Sequence, residues 1–324
     1  MANAEVVKTN KLIIPDSYLP TIQDKIQENA VIPSLIPATP HLYNNTEKIY
    51  LEQEPVAQYV EPMEGGKKES TDFAFGTKEM HKFKIQATIR MTEDVLYANE
   101  DNTATEDQMN FILDKLQQTL GKGVDAGMIH QFDPHTQGTV TSAADVALAK
   151  IAKEITPTSN MQTDIDSLPD SILYAGYNAS GIAMDTMYAN ELRKVRNADG
   201  VRLYPDVPLK VNTMGSFEGL DAVVSGNVSG RSFKGLGDQG IKAIIGDWSQ
   251  AQWGIIREMA LRRFDVGDPD NRGYDLSYKN EIAYRVEMIF AFGVWDKDAF
   301  AMLKGEPYSA AALNAAPRKV STKA

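Results

Sequence analysis

Two long segments with alternating apolar and polar side chains lie far apart in this 324-residue chain. In residues 81–91 five apolar side chains alternate with polar or charged ones, and in residues 281–294 seven apolar side chains share one face. Alternation with a period of two predicts β-strands, each with one buried face. The second strand is expected to pair with the earlier elements, so the chain should leave the first domain and return to it. The residues between them are then an insertion.

Residues 1–43 are predicted to form an extended arm. Proline interrupts this stretch at five positions, and each proline fixes its own backbone and biases the preceding residue toward extended geometry. One short helix fits between the prolines, over residues 21–29. Residues 31–37 are apolar but cannot fold on themselves, so they need a surface to lie against. That surface is either the arm's own domain or a neighbouring subunit, and the sequence leaves both open.

Residues 44–80 are predicted to form a long hairpin. Residues 47–51 have the composition of a strand, and residues 61–70 form a polar tip that contains Gly65 and Gly66. Two consecutive glycines give the conformational freedom that a turn requires. The tip has too few apolar residues for a core of its own, so we expect it to project away from the body.

A single long helix is predicted over residues 105–131. Thr105 and Gln108 match a capping box, and apolar side chains then recur at steps of three and four. Such a helix spans roughly 40 Å. Its glycines, Gly121, Gly123 and Gly127, indicate close approach of another backbone. A second helix is predicted over residues 143–155, before Pro157.

The sequence pattern changes over residues 160–280, where short strand-like runs alternate with glycine-rich loops. A helix is predicted over residues 185–196, followed by a turn. We interpret this stretch as a compact inserted α/β domain, and the end of the chain, residues 307–324, as a frayed tail. The predicted short strands are residues 172–175, 181–184, 222–225 and 242–245.

The composition excludes several classes of protein. The chain has no cysteine, which excludes disulfide scaffolds, iron–sulfur clusters and cysteine nucleophiles. Its formal charge of −11 argues against sequence-reading DNA binding, which usually needs a basic surface. No secretory signal and no apolar run long enough for a membrane span are found.

Few residues of the chain have the spacing that catalytic or metal sites require. His130 and His135, near Asp133, are weak candidates for a metal site, because histidine near a helix C-terminus also interacts with the helix dipole. Residues 235–240 match the glycine pattern of dinucleotide-binding loops, but a polar loop precedes them and a strand-like run follows. Residues 268–273 begin like a calcium loop but lack its later ligands, so a surface turn is expected. We therefore predict no catalytic, cofactor-binding or metal-binding residues.

The order of these elements resembles the major capsid protein of tailed bacteriophages with the Hong-Kong-97-type fold. The resemblance covers roughly residues 30–305. The order of the matching stretches along the chain is more specific than any one of them. The stretches that carry it are residues 91–96, the long helix at 105–131, residues 178–184 with the turn at 197–200, residues 246–250 and residues 278–295.

The resemblance implies an α+β fold with four parts: an N-terminal arm, an extended β-hairpin loop, a peripheral domain with a long spine helix, and an inserted axial α/β domain. The implied boundaries are residues 1–43 for the arm, 44–80 for the hairpin, 81–159 for the peripheral domain with its spine helix at 105–131, 160–280 for the axial domain, 281–306 for the return strand and 307–324 for the tail.

The resemblance also implies a function. Copies of the chain would form hexamers and pentamers of an icosahedral shell that encloses viral DNA, as part of the virion, assembled in the cytoplasm of a bacterial host. The expected partners are other copies of the chain, a portal, a separate scaffolding protein and a decoration protein. Packaged double-stranded DNA would be touched only non-specifically, and no membrane is involved. Lys67 and Lys68 lie where some relatives form covalent cross-links, but non-covalent locking is the expectation here.

Two other functions are alternatives to this one. An encapsulin-type nanocompartment has the same fold but would favour a shorter arm, and an enzyme with an inserted cap domain lacks a nucleophile–base set. The predicted contacts between subunits are the apolar or basic residues of the arm, the hairpin and the loops: Ile32, Leu35, Ile36, Tyr59, Met63, Lys67, Lys68, Phe73, Phe75, Arg231, Phe233, Arg263 and Arg272.

Overall fold

The computed structural model describes residues 30–36, 39–40, 47–53, 57, 59, 70, 74–93, 102–197, 199–208 and 210–308. Within them the helices are α1 (Val31–Leu35), α2 (Asn102–His130), α3 (Leu148–Ile151), α4 (Met161–Leu173) and α5 (Thr186–Lys194). The strands are β1 (Thr39–Pro40), β2 (Glu47–Gln53), β3 (Ala74–Glu79), β4 (His81–Thr92), β5 (Phe132–Asp133), β6 (Gly138–Thr139), β7 (Lys153–Ile155), β8 (Gly181–Met184), β9 (Met214–Phe217), β10 (Leu220–Val224), β11 (Ile241–Gly246), β12 (Ala251–Phe264), β13 (Glu281–Val294) and β14 (Phe300–Lys304).

The second alternating segment, β13, pairs with an earlier element as predicted, and that element is the first alternating segment, β4. β4 and β13 are antiparallel from Glu281 opposite Thr92 to Phe292 opposite His81, in a sheet of order β1-β12-β13-β4. The sequence did not reveal β12, which is fourteen residues long and lies between β13 and β1. Its pairing with β13 shifts register between Ile255 and Arg257 and again between Arg257 and Ala260. Each shift changes the phase of the alternation, so β12 has no continuous period of two.

The long helix α2 packs across β4 and β13. Leu116, Leu120, Val124 and Met128 are buried along one side of it, as the spacing predicted. The helix begins at Asn102, so Thr105 lies inside the helix and the predicted capping box is wrong. The glycines were predicted to allow close approach of another backbone, but no such approach is found at Gly123 or Gly127. A Cβ on Gly123 would contact only the Ile85 side chain at 3.8 Å, and one on Gly127 would meet nothing within 4 Å.

A second sheet of six strands has the order β7-β14-β11-β8-β10-β9. The strands predicted at residues 181–184, 222–225 and 242–245 are confirmed as β8, β10 and β11. Helix α4 packs on β11 and β14, and α5 packs on β11. Asp185 accepts a hydrogen bond from the backbone N–H of Met187 and so caps α5, which confirms the helix predicted near this position.

Two secondary-structure predictions in this half of the chain are wrong. Residues 172–175 belong to the end of α4 and the turn after it, where the sequence had suggested a strand. Pro169 lies inside α4 and argued against a helix there, because proline usually interrupts one. The Asn160 side chain caps the helix by accepting from the Gln162 backbone N–H. The helix predicted over residues 143–155 is instead a 3-10 turn, the short helix α3 and the strand β7, because β7 pairs with β14.

The sheets do not follow the predicted boundaries of the insertion. β7 and β14 lie outside residues 160–280 but belong to the six-stranded sheet, whereas β12 lies inside that range but belongs to the four-stranded sheet. One continuous core joins both sheets, with Trp253 and Phe290 from one and Ile244 and Phe300 from the other. The two sheets are therefore fixed to each other by buried side chains.

Candidate assembly site

The apolar end of the arm packs on its own chain. Residues 31–35 form the one-turn helix α1, although the prolines had predicted an extended segment, and Val31 and Ile32 are fully buried. The Trp253 indole Nε1 donates a hydrogen bond to the Ile36 carbonyl oxygen at 2.6 Å. Ile32 and Ile36, predicted to contact a neighbouring subunit, are therefore occupied inside the subunit, and Leu35 packs against the same core.

A single buried carboxylate holds α1 in place. Oδ2 of Asp125, on α2, accepts from the backbone N–H of Val31 at 2.8 Å, and Oδ1 accepts from that of Ile32 at 3.2 Å. The Nδ2 of Asn227 donates to Oδ2 at 2.7 Å, which adds the loop after β10 to the same point. Burial raises the pKa of Asp125 to about 6, because the loss of water outweighs the three hydrogen bonds that favour the charged form.

His130 is engaged in a structural contact. Its Nε2 lies 2.7 Å from the carbonyl oxygen of Asn227, and its ring meets the edge of Phe233 at 5.9 Å between centroids. Burial lowers the pKa of His130 to about 4, so the imidazole is neutral near pH 7. The Asp133 carboxylate accepts from the His135 backbone N–H at 2.9 Å. Among the described residues no group of three histidine, aspartate or glutamate side chains is placed to hold a metal ion.

The loop between β12 and β13, residues 265–280, is built around Arg90. The Arg90 side chain, from β4, is only 2% exposed and pairs with Asp268 at 2.8 Å, with Asp270, and with Glu281 at 3.2 Å. Its guanidinium also lies 4.7 Å from the centre of the Tyr274 ring. The calcium-like stretch at residues 268–273 is thus more than a surface turn, because its aspartates neutralise a buried cation.

The same loop presents exposed side chains to solvent. Val266 and Tyr278 are 70% and 81% exposed. Arg272 is at the surface and pairs with Asp270 at 2.8 Å, while Arg263, at the end of β12, pairs with Asp265 at 2.6 Å. Both arginines predicted as contacts between subunits therefore lie at the surface, each fixed by a neighbouring carboxylate. Surface pairs of this kind contribute little to folding but hold a side chain in one direction.

A second cluster joins α5, the loop after β10 and the end of β14. Arg231 Nη2 donates to both carboxylate oxygens of Asp185, one at 2.7 Å, and to the Thr186 hydroxyl at 2.8 Å. Arg231 was a predicted contact and is partly exposed, whereas Phe233, also predicted, is buried beside His130 and is not available to a neighbour. The prediction that Phe233 contacts a neighbouring subunit is therefore corrected, because its side chain lies in the subunit's own core.

Tyr308 attaches the end of the described chain to this cluster. Its hydroxyl donates to Glu191 at 2.9 Å, and its backbone N–H donates to Asp238 at 3.0 Å. The ammonium of Lys242 lies 3.3 Å from the centre of the Tyr308 ring. Burial raises the pKa of Tyr308, so its hydroxyl remains a donor.

The glycine pattern at residues 235–240 has a structural explanation in this region. It lies in a turn-rich loop before β11, as its context predicted. Gly240 has φ of +75°, and a Cβ there would lie 1.9 Å from the carbonyl oxygen of Gly305. The glycine is needed because the backbone of residue 305 donates a hydrogen bond to the carbonyl oxygen of residue 240 at 2.9 Å.

The predicted hairpin has a stem of two antiparallel strands, β2 and β3, which form a separate two-stranded sheet. Tyr59, between them, is 94% exposed. Phe75 lies in β3, but its side chain is not among the described ones. The other hairpin candidates lie outside the described residues: Met63, Lys67, Lys68 and Phe73.

Four residues that organise these regions escaped the sequence reasoning: Arg90, Asp125, Asp185 and Tyr308. Each bonds to partners far away in the chain, as when Arg90 meets Asp268 and Asp125 meets Val31. A polar residue with such a partner leaves no local pattern. The one available signal was the single carboxylate in the otherwise apolar and glycine-rich last turns of the long helix.

Comparison with known proteins identifies the family. The family model described as Phage capsid family matches residues 10–305. The chain belongs to the phage capsid family. It is therefore a structural protein of the virion, a major capsid protein whose copies assemble into a shell. No helix among the described residues of this capsid protein combines the length and the apolar character needed to cross a bilayer.

Solved structures agree with this family. A structure from Mycobacterium phage Ogopogo is 25% identical, with a TM-score of 0.74 over 86% of this capsid protein and 92% of that chain. A structure from Gordonia phage Cozz is 26% identical, with a TM-score of 0.73 over 86% and 87%. The structure titled "Capsid of empty GTA particle computed with C5 symmetry", at 12% identity and a TM-score of 0.58 over 86% and 90%, shares the fold. No curated protein sequence matches this capsid protein significantly. These matches do not favour the encapsulin alternative.

Proposed function

We propose that the protein has the Hong-Kong-97-type capsid fold and forms the hexamers and pentamers of an icosahedral shell around phage DNA, without a catalytic role. The observation that carries this proposal is the separate sheet of β2 and β3, which is a hairpin stem outside the two sheets that form the body. A strand pair of this kind gains little stability alone, so its value lies in reaching another molecule.

The parts of the fold take the following roles in this proposal. The four-stranded sheet with α2 is the peripheral domain, the six-stranded sheet with α4 and α5 is the axial domain, and residues 44–80 are the extended loop that lies over a neighbouring subunit. Residues 1–43 are the N-terminal arm, and its described helix α1 is anchored to the body. Because a single core joins both sheets, we propose that the body moves as one unit during assembly.

The proposed contacts between subunits are those candidates that the fold leaves available. Arg263 and Arg272 lie at the surface near the loop at residues 265–280, and Tyr59 is on the hairpin. Met63, Lys67, Lys68, Phe73 and Phe75 complete the hairpin set. Arg231 is partly exposed but is held by Asp185, so its contribution to an interface would come from its fixed guanidinium edge.

The charge of the chain fits a container for DNA. A net charge of −11 limits strong binding of the shell to packaged DNA, which must leave again. We propose that DNA is touched non-specifically, and that a portal, a scaffolding protein and a decoration protein act with the shell in the host cytoplasm. A closed shell gains its stability from many modest interfaces repeated by symmetry.

Electron microscopy of the full-length protein, expressed alone, tests the proposal. We expect closed polyhedral shells, or sheets and tubes of hexamers. Deletion of residues 64–68 should leave the subunit folded but lower the melting temperature of assembled particles. An equal deletion in the loop at residues 197–201, in the six-stranded half, serves as the matched control. Single particles of subunit size that persist when a scaffolding protein is co-expressed would contradict the assembly proposal.

A further inference from the structure

A single residue joins the stem of the hairpin to the body. β3 ends at Glu79 and β4 begins at His81, so only Met80 lies between the strand that pairs with β2 and the strand that pairs with β13. Among the described strands, β2 and β3 pair only with each other. The other connection of the stem, residues 41–46, lies outside the described residues. Of the connections that the structure describes, Met80 is therefore the one that can set the direction of the stem.

Met80 is buried where the following side chains of the same parity are not. Its residue is 5% exposed, whereas Lys82 and Lys84 are exposed to solvent. Phe83, at the intervening position, belongs to the core that both sheets share. Met80 instead belongs to a small separate cluster with Ala291, Trp295 and Ile256. The chain thus forms a second buried contact just where the hairpin leaves the body.

Gly293 makes room for the Met80 side chain. The last pair of β4 and β13 is His81 opposite Phe292, so Met80 and Gly293 are the next positions along the two strands. A Cβ on Gly293 would lie 3.0 Å from Cγ of Met80 and 3.4 Å from its Cα. The methionine therefore packs directly on the backbone of residue 293, and a side chain there would push it away.

The walls around Met80 belong to the four-stranded sheet. Ala291 and Trp295 lie two positions before and after Gly293, and both are buried. The backbone N–H of Trp295 donates to the carbonyl oxygen of Gln250 at 2.7 Å, which fixes it to the residue before β12. Ile256, within β12, packs against the same cluster. An unbranched methionine side chain suits an irregular socket of this kind.

We propose that Met80 is the positioning residue of the hairpin: seated in this socket, it fixes the direction in which the stem of β2 and β3 leaves the body. The hairpin of a free subunit is then already aimed before it meets a neighbour. A stem held in one direction loses less conformational entropy on binding than a stem that swings. The use of this aim in assembly rests on the proposed function, in which the hairpin lies over a neighbouring subunit.

Distances between two spin labels, measured by double electron–electron resonance on the full chain, test the proposal. The chain has no cysteine, so cysteines introduced at Tyr59 on the hairpin, 94% exposed, and at Lys122 on the exposed side of α2 carry the only labels. Labelled chains are diluted into unlabelled ones, so that only distances within one chain are measured. Met80→Ala should roughly double the width of the distance distribution, because the stem then pivots at its base. Met80→Leu keeps a similar apolar volume and should retain the wild-type distribution.

A second pair of labels separates a pivoting hairpin from a loosened body. Labels at Lys122 and Asp221 both lie in the body, and their distance distribution should be the same in wild type and Met80→Ala. Because Met80 lies outside the core that both sheets share, we expect this variant to fold. If both label pairs broaden together, the effect is a general loss of structure and the proposal is wrong.

Gly293→Ala gives an independent test, which also decides the matter if Met80→Ala does not fold. The added methyl group would meet Met80 from the opposite strand, so the mean distance between Tyr59 and Lys122 should shift by several ångströms. A distribution that is unchanged in the folded variants overturns the proposal, whether or not the protein forms shells. A changed distribution without shells supports the role of Met80 and counts against the proposed function alone.

Discussion

The ring of Phe83 stacks on the ring of Phe290, with centroids 5.4 Å apart and an angle of 29° between the planes. Phe83 belongs to β4 and Phe290 to β13, so this contact joins two segments of the four-stranded sheet that are far apart in the sequence. Phe290 is almost fully buried in the core that both sheets share. Phe290→Ala should therefore lower the free energy of unfolding by about 3–5 kcal/mol.

A double-mutant cycle checks this relationship. Phe83→Ala, Phe290→Ala and the double variant are compared by urea unfolding of the subunit. A coupling of about 0.5–1.5 kcal/mol is expected for a stacked aromatic pair. Purely additive effects would mean that the rings share the core without interacting specifically.

Leu116 tests the position of the long helix. It is 2% exposed and faces the core, so Leu116→Asp would bury a charge without a partner. We expect a loss of more than about 4 kcal/mol and little soluble folded subunit. Lys122→Asp, on the exposed side of the same helix, is the control and should fold normally. Far-ultraviolet circular dichroism and the yield of soluble protein report the result, and a stable Leu116→Asp subunit would be incompatible with this packing.

Arg90 should control the order of the loop at residues 265–280. Arg90→Met keeps much of the side-chain volume but leaves Asp268, Asp270 and Glu281 without their shared cation. Hydrogen exchange in the loop should become roughly tenfold faster, because unpaired carboxylates near a core are unfavourable. Arg272→Met removes an exposed pair in the same loop and should change exchange little. Equal effects of the two variants would show that burial of Arg90 is unimportant.

The same loop should loosen in acid. Backbone hydrogen bonds from Arg272 and Gly273, together with Arg90, hold the pKa of Asp268 below its usual 3.8. Because the pKa of Asp268 is lowered in the folded loop, its charged carboxylate stabilises the loop at pH values above the ordinary pKa. This stabilisation is lost as pH falls through the lower pKa of the folded loop. Hydrogen exchange corrected for intrinsic rates should therefore show the loop unchanged from pH 7 to pH 5 and less protected at pH 3. The buried strand β11 provides the internal reference for global unfolding, and parallel loss in both segments would refute a local effect.

The hydroxyl of Tyr308 should stabilise the folded subunit by attaching the end of the described chain to Glu191. Tyr308→Phe removes the donor to Glu191 but retains the ring beside Lys242, so a loss of about 1 kcal/mol in unfolding free energy is expected. Tyr174→Phe makes the same change at a residue that is 92% exposed and should have almost no effect. Urea midpoints measured side by side give the answer. No difference between the variants would mean that the hydroxyl bond to Glu191 adds nothing.

The sequence predicted those elements whose pattern is local and regular. β4, β13 and the buried face of α2 follow one period throughout, so their existence could be inferred before any coordinates. β12 could not, because two register shifts break its alternation. The anchors of the candidate site were equally hidden. Asp125 and Arg90 look like ordinary charged residues until the fold brings the Val31 amide to one and the aspartates of a distant loop to the other.

The pairing of β4 with β13 also determines when the four-stranded sheet can form during synthesis. β4 is synthesised before residues 93–280, and its partner, residues 281–294, only after them. Until then β4 lacks the strand that covers its inner edge, and contacts of such long sequence separation form slowly. An incomplete chain therefore cannot present a finished four-stranded sheet. A product truncated before residue 281 lacks the partner of β4, so we expect it to be excluded from the shell.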